Sequence, residues 1–302
     1  MKLKKNILIV GGTGFIGYHL AKRSLQKGWK VTSISTKLPK KIRYLQKVKY
    51  IICDITKKKL LKKKIKKSYD YVVNLGGYVN HQDKKKTFKS HYHGCKNLAE
   101  IFLKKNLISF IQMGSSVEYG SIKSPQKENV KCNIKLNKST YGKAKLLSSI
   151  YLQDLYAKKK FPSTILRLYN TYGPRQDLNR FIPIVISGCI KNKKFPCSKG
   201  NQLRDFLHID DVVDAILKSL TNKNAKGQII NIGSGEPRVI KDIIEYVKKI
   251  LKGGYPLFGK IKLRKDEILK VYPDINKAKN KINWKPKISF KKGLKITINS
   301  FR

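Results

Sequence analysis

The first apolar run of the chain leads directly into three regularly spaced glycines. Residues 7–17 read ILIVGGTGFIG, with Gly11, Gly14 and Gly17 after four aliphatic side chains. Between a strand and a helix, such glycines allow a tight turn, a close approach of backbone amides to a pyrophosphate, and close helix packing. The apolar NILIV precedes the glycines, and the helical pattern FIGYHLAKRSLQKG follows and ends at Gly28. This context favours a dinucleotide-binding turn over an ordinary strand-to-helix turn.

Further apolar runs of strand length recur along the first half and alternate with segments of helical periodicity. Continuous rather than alternating hydrophobicity is typical of strands buried on both faces, as in a parallel sheet built from strand–helix–strand units. We predict an α/β fold with a doubly wound parallel sheet. Residues 1–170 would form the dinucleotide-binding domain. Residues 171–302 would form mainly a smaller substrate-binding lobe, parts of which return to the first domain. The predicted strands are 6–10, 30–35, 49–53, 71–75, 109–114 and 163–170.

The formal net charge of +50 does not by itself indicate a nucleic-acid partner. Lysine supplies 59 of the 68 basic residues, whereas nucleic-acid recognition relies on the planar guanidinium of arginine. We therefore expect a solvated surface, and interpret KKKLLKKKIKK at 57–67 as a peripheral helix with Leu60, Leu61 and Ile65 on one side. A dinucleotide-binding or polyanion-binding protein without catalytic activity stays as an alternative.

Targeting and metal-binding signals are weak. No apolar run approaches the roughly 18 residues that span a bilayer, and no small-residue cleavage site follows the basic start, so a cytoplasmic protein is expected. The five cysteines are scattered without a C-x-x-C pair, which favours reduced thiols and no metal site.

Several motifs together resemble the extended short-chain dehydrogenase/reductase family of nucleotide-sugar epimerases, dehydratases and reductases. The resemblance runs nearly end to end and rests on the glycine segment, GSSVEYG at 114–120, YGKAK at 141–145, LRLYNTYGP at 166–174 and QLRDFLHIDDVV at 202–213. It implies a Rossmann fold, an NAD(P) cofactor and a nucleotide-diphospho-sugar substrate. It also implies a homodimer by analogy with relatives.

The expected chemistry centres on Ser115, Tyr141 and Lys145. Tyrosine and lysine four residues apart share one helix face, and an ammonium beside the phenol favours the phenolate. Tyr141 would exchange a proton with the sugar C4 oxygen while hydride moves between C4 and the nicotinamide, and Ser115 would hydrogen-bond that oxygen. Ser116 is adjacent and is an alternative partner. Each of these features also occurs by chance, so the hypothesis depends on their combination.

The resemblance also assigns the binding residues. For the cofactor they are Gly11, Gly14, Phe15, Ile16, Gly17, Ser35, Thr36, Lys37, Asp54, Ile55, Leu75 and Gly76, with Tyr141 and Lys145. For the substrate they are Ser116, Asn170, Arg180, Arg204 and Arg264. Hydroxyls and an ammonium at 35–37, where NAD-preferring enzymes usually carry an acid, favour NADP(H), with NAD as the alternative.

Three reactions of the family compete. Dehydratases carry an acidic pair directly after the serine or threonine, whereas here Ser116 and Val117 follow and the nearest acid, Glu118, is displaced. The second half resembles CDP-abequose synthase and similar 4-keto-6-deoxy sugar reductases. We therefore favour NADPH-dependent reduction of a 4-keto sugar nucleotide, with C4 epimerisation as the alternative. His91 stands where the family usually has asparagine, as a structural substitute or a donor in the substrate pocket.

Overall fold

The computed structural model describes residues 4–263 and 267–301. The strands are β1 Asn6–Val10, β2 Lys30–Ser35, β3 Val48–Ile52, β4 Tyr71–Asn74, β5 Ser109–Ser115, β6 Ser163–Leu168, β7 Asn170–Tyr172, β8 Lys194–Pro196, β9 Leu203–His208, β10 Ile229–Ile232, β11 Pro237–Val239, β12 Tyr255–Leu257 and β13 Lys270–Val271. The helices are α1 Phe15–Gln26, α2 Lys58–Lys64, α3 Lys84–Phe88, α4 Gly94–Phe102, α5 Thr140–Lys159, α6 Phe181–Ile190, α7 Ile209–Thr221, α8 Ile240–Leu251, α9 Asn276–Ile282 and α10 Phe290–Asn299.

Seven parallel strands form the central sheet in the order β3-β2-β1-β4-β5-β6-β10. The chain moves outward from β1 in one direction and resumes on its other side with β4, which creates a topological switch point between β1 and β4. In such sheets ligands bind beyond the carboxyl ends of the strands at this point. The predicted doubly wound parallel α/β fold is confirmed.

Helices cover both faces of this sheet, which explains why its strands are continuously apolar. One face packs against α1, α7 and α9, and the other against α2, α4 and α5. The lysine-rich segment at 57–67 forms the short α2 on the second face, where Leu61 and Ile65 are buried. Leu60 is 40% exposed, so the prediction that all three aliphatic residues share a buried side was wrong for Leu60.

A third apolar cluster lies in the second half of the chain, among α6, α8 and α10. Beside it β9 pairs with β7, β11 and β13 in a small sheet, and β8 pairs with β12. Two elements of this half, α7 and β10, instead belong to the central layers. The strand predicted at 163–170 divides, because β6 ends at Leu168 in the central sheet and β7 starts at Asn170 in the small one.

Candidate active site

The glycine turn joins β1 to α1 at the switch point. Gly11 has φ +77°, a left-handed conformation that favours glycine, and the amide of Gly14 donates to its carbonyl at 3.0 Å. A Cβ on Gly17 would lie 2.3 Å from the Gly11 carbonyl oxygen and 2.5 Å from the Cα of Gly12. The third glycine therefore brings the N-terminus of α1 against the turn, and a helix N-terminus suits a pyrophosphate.

A cavity of about 590 Å³ opens on one side of this turn. Of the residues expected to hold a cofactor, Gly11, Gly14, Ser35, Thr36, Asp54, Ile55, Leu75 and Gly76 line it, whereas Lys37 is exposed and is not among the lining residues. Ser35 accepts a hydrogen bond through Oγ from the amide of Thr13 at 3.4 Å, which ties the end of β2 to the glycine turn. Asp54 is the one carboxylate among the described lining residues, and it follows β3 rather than β2.

A second cavity of about 480 Å³ continues from the other side of the turn and brings the three expected reactive residues together. Ser115 at the end of β5 and both Tyr141 and Lys145 on α5 line it, as do Gly11, Gly14, Phe15, Ile16 and Gly17. The two cavities share the glycine turn and Leu75. Together the two cavities extend from the end of β2 to Tyr141, and the residues around them fit an extended dinucleotide.

Helix α5 sets the positions of Tyr141 and Lys145. It starts at Thr140, capped by Ser139, whose Oγ accepts from the amide of Gly142 at 2.9 Å. Lys145, 4% exposed, donates from Nζ to the carbonyl of Met113 at 2.6 Å, and the same Nζ lies 5.8 Å from the centre of the Tyr141 ring. The strand that carries Ser115 therefore also fixes the ammonium beside the phenol.

The segment after β5 separates the two adjacent serines. Ser115 caps the 3₁₀ turn Ser116–Tyr119, accepting through Oγ from the amide of Val117 at 3.5 Å, and it lines the cavity with Tyr141. Ser116 lines a neighbouring cavity of about 370 Å³ instead. The geometry thus groups Ser115, rather than Ser116, with Tyr141 and Lys145.

Glu118 is turned away from the reactive residues. Its carboxylate, 0% exposed, accepts from the amide of Ser115 at 2.9 Å, from the hydroxyl of Ser149 at 2.7 Å and from Nε of Arg167 at 2.9 Å. Glu118 is absent from the described lining residues of the reactive cavity and of the neighbouring cavity of about 370 Å³. Val117, the residue before it, borders the neighbouring cavity. The acid nearest to the serines is thus a structural group.

Two histidines surround the ring of Tyr141. The His81 ring stacks on the phenol with centroids 4.0 Å apart and an interplanar angle of 15°. His91 approaches with a centroid distance of 4.8 Å and an angle of 67°, and its Nε2 lies 3.2 Å from the Tyr78 carbonyl oxygen, to which it donates. Burial and the Lys145 ammonium lower the pKa of His91 to about 2, so this imidazole is neutral. His91 sits in a single π-helical turn, Lys89–His93, a form often found at functional sites.

The expected substrate residues Asn170, Arg180 and Arg204 lie in or beside the second half of the chain. Asn170 borders both the reactive cavity and its neighbour and donates to the Asp205 carbonyl at 3.1 Å. Arg180, exposed, lines the reactive cavity at the start of α6. Arg204 lines the neighbouring cavity and is held there by an ion pair with Glu267. Arg264 lies outside the described residues.

Several lining residues were not predicted. Thr13 lies within the glycine segment, so the regular glycines around it could have indicated that it lines the cavity. His81 stands in a loose cluster of histidines in the sequence, and nothing there signals its contact with Tyr141. Others are Val10, Ile34, Cys53, Thr56, Tyr78, Val79, Lys86, Lys89 and Ser90 around the first cavity, and Met113, Gly114, Leu168, Tyr169, Thr171, Gln176, Asp177, Phe181, Ile182 and Phe206 around the second.

A family model described as the NAD dependent epimerase/dehydratase family matches residues 7–233, three quarters of the chain. The chain belongs to this family. The resemblance found in the sequence is thereby confirmed, and the protein is an enzyme of the NAD dependent epimerase/dehydratase family.

Members similar to this chain differ in their reactions. A putative UDP-glucose 4-epimerase of Methanocaldococcus jannaschii is 29% identical, over 97% of each chain. CDP-abequose synthase of Salmonella muenchen is 24% identical, over 98% of this chain and 97% of the relative. The solved structure of UDP-glucuronic acid 4-epimerase from Bacillus cereus, in complex with UDP-glucuronic acid and NAD, is 26% identical, with a TM-score of 0.86 and 98% of both chains covered. The structure of this family member contains NAD.

Two further observations on the described residues concern metal ligands and membrane-spanning helices. In the part of the chain that the structure covers, no three histidine, cysteine or acidic side chains are grouped so that they could hold a metal ion. Within the same ranges, no helix combines the length and the apolar character needed to cross a membrane.

Proposed function

We propose that this enzyme uses NADPH to reduce the 4-keto group of a nucleotide-diphospho-sugar. The observation that carries the proposal is the convergence of Ser115, Tyr141 and Lys145 on one cavity that continues from the glycine turn. Three residues that are 26 and four positions apart in the chain meet at the carboxyl edge of the sheet beside its switch point, where a reacting carbon can lie between the phenol and the cofactor.

The residues divide the chemistry between them. Bound NADPH supplies the hydride that reaches C4. Tyr141 gives its phenolic proton to the C4 oxygen, and Lys145, whose ammonium lies 5.8 Å from the ring centre, stabilises the phenolate that results. Ser115 Oγ accepts only a long 3.5 Å bond from Val117, which leaves its hydroxyl hydrogen to donate to the same substrate oxygen and hold it in line.

The surroundings of Ser115 favour reduction over dehydration. Removal of the C6 hydroxyl needs an acid beside the reacting sugar. Ser116 and Val117 follow Ser115, and the carboxylate of Glu118 is committed to Arg167, Ser149 and the Ser115 amide. No free acid therefore stands directly after Ser115 to protonate a leaving hydroxyl. Asp177, which borders the reactive cavity, is paired with Lys40 and Arg43.

The end of β2 supports the choice of NADPH. An enzyme selective for NAD usually places an acid there to hydrogen-bond the ribose 2′-hydroxyl. Here Ser35 and Thr36 line the cavity, whereas the carboxylate that lines it, Asp54, follows β3 and accepts from the amide of Thr56 at 2.8 Å. Hydroxyl groups can donate to a 2′-phosphate, which a carboxylate in the same place would repel.

The diphosphate and sugar of the substrate would bind between the two lobes. Asn170 and Arg180 border the reactive cavity from the side of the smaller lobe, and Arg204 borders the adjoining cavity. A guanidinium suits a diphosphate because its planar fork donates two parallel hydrogen bonds. Arg204 would exchange its pairing with Glu267 for this contact.

C4 epimerisation is the second candidate, favoured by the epimerases from Methanocaldococcus jannaschii and Bacillus cereus that this chain resembles. The two reactions differ in the fate of the cofactor, because an epimerase regenerates it in every cycle whereas a reductase consumes it. A binding protein without activity is the third and is disfavoured by the grouping of Tyr141 with Lys145.

One experiment separates these candidates. Purified protein is mixed with NADPH and a series of 4-keto sugar nucleotides, and NADPH absorbance and sugar products are followed together. Oxidation of one NADPH for each sugar product supports the proposed reduction. Interconversion of two hexose nucleotides without loss of cofactor shows that the reaction is epimerisation instead. Tyr141→Phe should keep NADPH binding and lose turnover, and a Tyr141→Phe protein with full turnover would refute the assigned proton donor.

A further inference from the structure

Reduction requires a supply of protons at Tyr141, and this inference rests on the proposed function. In each turnover the C4 carbon gains a hydride, the carbon–oxygen double bond opens, and O4 takes the phenolic proton of Tyr141. The phenolate then needs one proton from solvent before the next cycle. A 4-epimerase has no such need, because its tyrosine returns the proton to the same oxygen.

Lys145 is almost covered by protein, although it borders the reactive cavity. Its side chain is 4% exposed, and Nζ donates to the carbonyl of Met113 at 2.6 Å. The neighbouring His91 is also buried, and its ring approaches Gly77 so closely that a Cβ there would lie 1.8 Å from Cε1. The side chains of Lys145 and His91 therefore both approach Tyr141 from the buried side of the cavity.

His81 contacts the phenol and solvent at once. It lies in the loop between β4 and α3, is exposed, and lines the reactive cavity. Its ring stacks on Tyr141 at 4.0 Å and 15°, while His91 meets it edge-on at 5.9 Å and 72°. An imidazole can accept a proton at one nitrogen and release another from its second nitrogen, and its ordinary pKa of about 6.5 suits this role at neutral pH.

The groups around His81 keep its imidazole neutral, which is the form that can accept a proton. The groups that face it are Arg180 from α6, Lys145 and Tyr141 from α5, His91 from the π-helical turn, and Tyr78 from its own loop. Burial against these elements, then the charges of Arg180 and Lys145, lower its pKa. The ring is therefore neutral at neutral pH and has one nitrogen free to accept.

We propose that His81 carries the solvent proton that restores the phenol of Tyr141 after each reduction. Stacked rings do not share an in-plane hydrogen bond, so the proton passes between their polar edges through one bridging water, a connection open to general acid–base groups. The proton leaves water and is taken up at one imidazole nitrogen, and another is released from the second nitrogen toward the Tyr141 oxygen. The ring is then neutral in its other tautomer, and it regains the first by exchanging protons with solvent water before the next cycle.

The test separates proton transfer from ring packing. His81→Phe keeps a flat ring over Tyr141 but cannot carry a proton, and His81→Ala leaves room for free imidazole. Both variants should lose kcat by about 10²-fold, the lower end for a proton-transfer group, with little change in KM. Added imidazole should restore His81→Ala and leave His81→Phe unchanged. His93→Phe is the control, because His93 is an exposed histidine of the π-helical turn that does not line the cavity.

Two kinetic results would overturn the proposal. A His81→Phe enzyme with the wild-type kcat would reduce His81 to a stacking role, and a His81→Ala enzyme that imidazole fails to rescue would exclude proton transfer at this position. Wild-type protein that never consumes NADPH would instead refute the proposed reduction.

A measurement without substrate or cofactor tests the contact itself. The imidazole proton resonances of His81, identified by their loss in His81→Phe, should carry the ring-current shift of a stacked partner. That shift should disappear in Tyr141→Ala. Unchanged His81 resonances in Tyr141→Ala would show that the two rings are not in contact in solution and would overturn the proposal independently of any activity.

Discussion

Glu118 and Arg167 form an ion pair in the interior, with Oε2 2.9 Å from Nε and side chains that are 0% and 3% exposed. The same carboxylate accepts from the amide of Ser115 and the hydroxyl of Ser149, so it connects β5, β6 and α5 behind the reactive cavity. Arg167 in addition lies over the ring of Tyr119, 4.4 Å from its centre. The pairing with Arg167 keeps the Glu118 carboxylate away from the reactive cavity. The same carboxylate accepts from the amide of Ser115 and so holds the serine that lines this cavity.

Glu118→Ala should therefore lower stability more than a surface change does. Removal of one partner leaves the Arg167 charge buried without compensation, a loss of about 3–5 kcal/mol in the free energy of unfolding. Urea denaturation followed by circular dichroism measures it, with the half-exposed Val117→Ala as a control within about 0.5 kcal/mol of wild type. A Glu118→Ala protein that keeps its stability but loses turnover would instead indicate a catalytic acid.

The two serines of the turn should differ in their effect on turnover. Ser115→Ala removes the hydroxyl that faces Tyr141 and should lower kcat by about 10²-fold, in the range of an oxyanion-type donor. Ser116→Ala is the matched control, because Ser116 lines the adjoining cavity and should affect mainly KM. Steady-state kinetics of both variants provide the comparison, and a larger loss of kcat in Ser116→Ala would exchange their roles.

The central sheet could be predicted from the sequence because its signals are local. Continuous apolar runs and the glycine triplet are sufficient to place strands such as Lys30–Ser35, which the structure reproduces with the same bounds. The i, i+4 spacing of Tyr141 and Lys145 likewise predicts a shared helix face, and both line the reactive cavity.

Relationships between distant segments could not be predicted in this way. The contact of His81 with Tyr141 spans 60 residues and depends on how the loop after β4 crosses the start of α5. Leu60 follows the same apolar pattern as Leu61 yet is exposed, because α2 lasts only seven residues and presents a single row to α4. Periodicity identifies which residues can share a face, while burial depends on the neighbour that covers it.

Cofactor choice should respond to a charge at the end of β2. Thr36→Glu places a carboxylate beside the ribose in the cavity, where it would repel a 2′-phosphate and accept from a 2′-hydroxyl. We expect the ratio of the Kd values for NADPH and NADH to move toward NADH by at least about 10-fold, as for a charged hydrogen bond of about 1.5–3 kcal/mol. Fluorescence titration measures both constants. Lys37→Ala, outside the lining residues, should change the ratio little, and a large effect of Lys37→Ala would return that residue to the site.

Gly17→Ala should damage the glycine turn itself. The added Cβ would lie 2.3 Å from the Gly11 carbonyl oxygen and 2.5 Å from the Cα of Gly12, which are backbone atoms that cannot move aside. Thermal unfolding of the protein without cofactor should shift downward, and NADPH binding should weaken. In Gly14→Ala the Cβ meets only the Gly11 oxygen at 3.3 Å, so its unfolding should stay closer to wild type. Equal melting temperatures for the two variants would contradict this account.

The buried imidazole of His91 should make the fold sensitive to acid. Its pKa in the folded state is about 2, below the ordinary 6.5, so below pH 6.5 the unfolded chain binds a proton that the folded chain does not. Stability contributed by this residue is therefore present above pH 6.5 and is lost as the pH falls, by about 2–3 kcal/mol between pH 6.5 and 4.5. Asp205, whose pKa burial raises to about 6, acts in the opposite sense, but it is shared by wild type and His91→Asn. The difference in unfolding free energy between these two proteins, measured in urea across this range, should shift in favour of His91→Asn as the pH falls, and a difference independent of pH would mean that His91 is not buried in its neutral form.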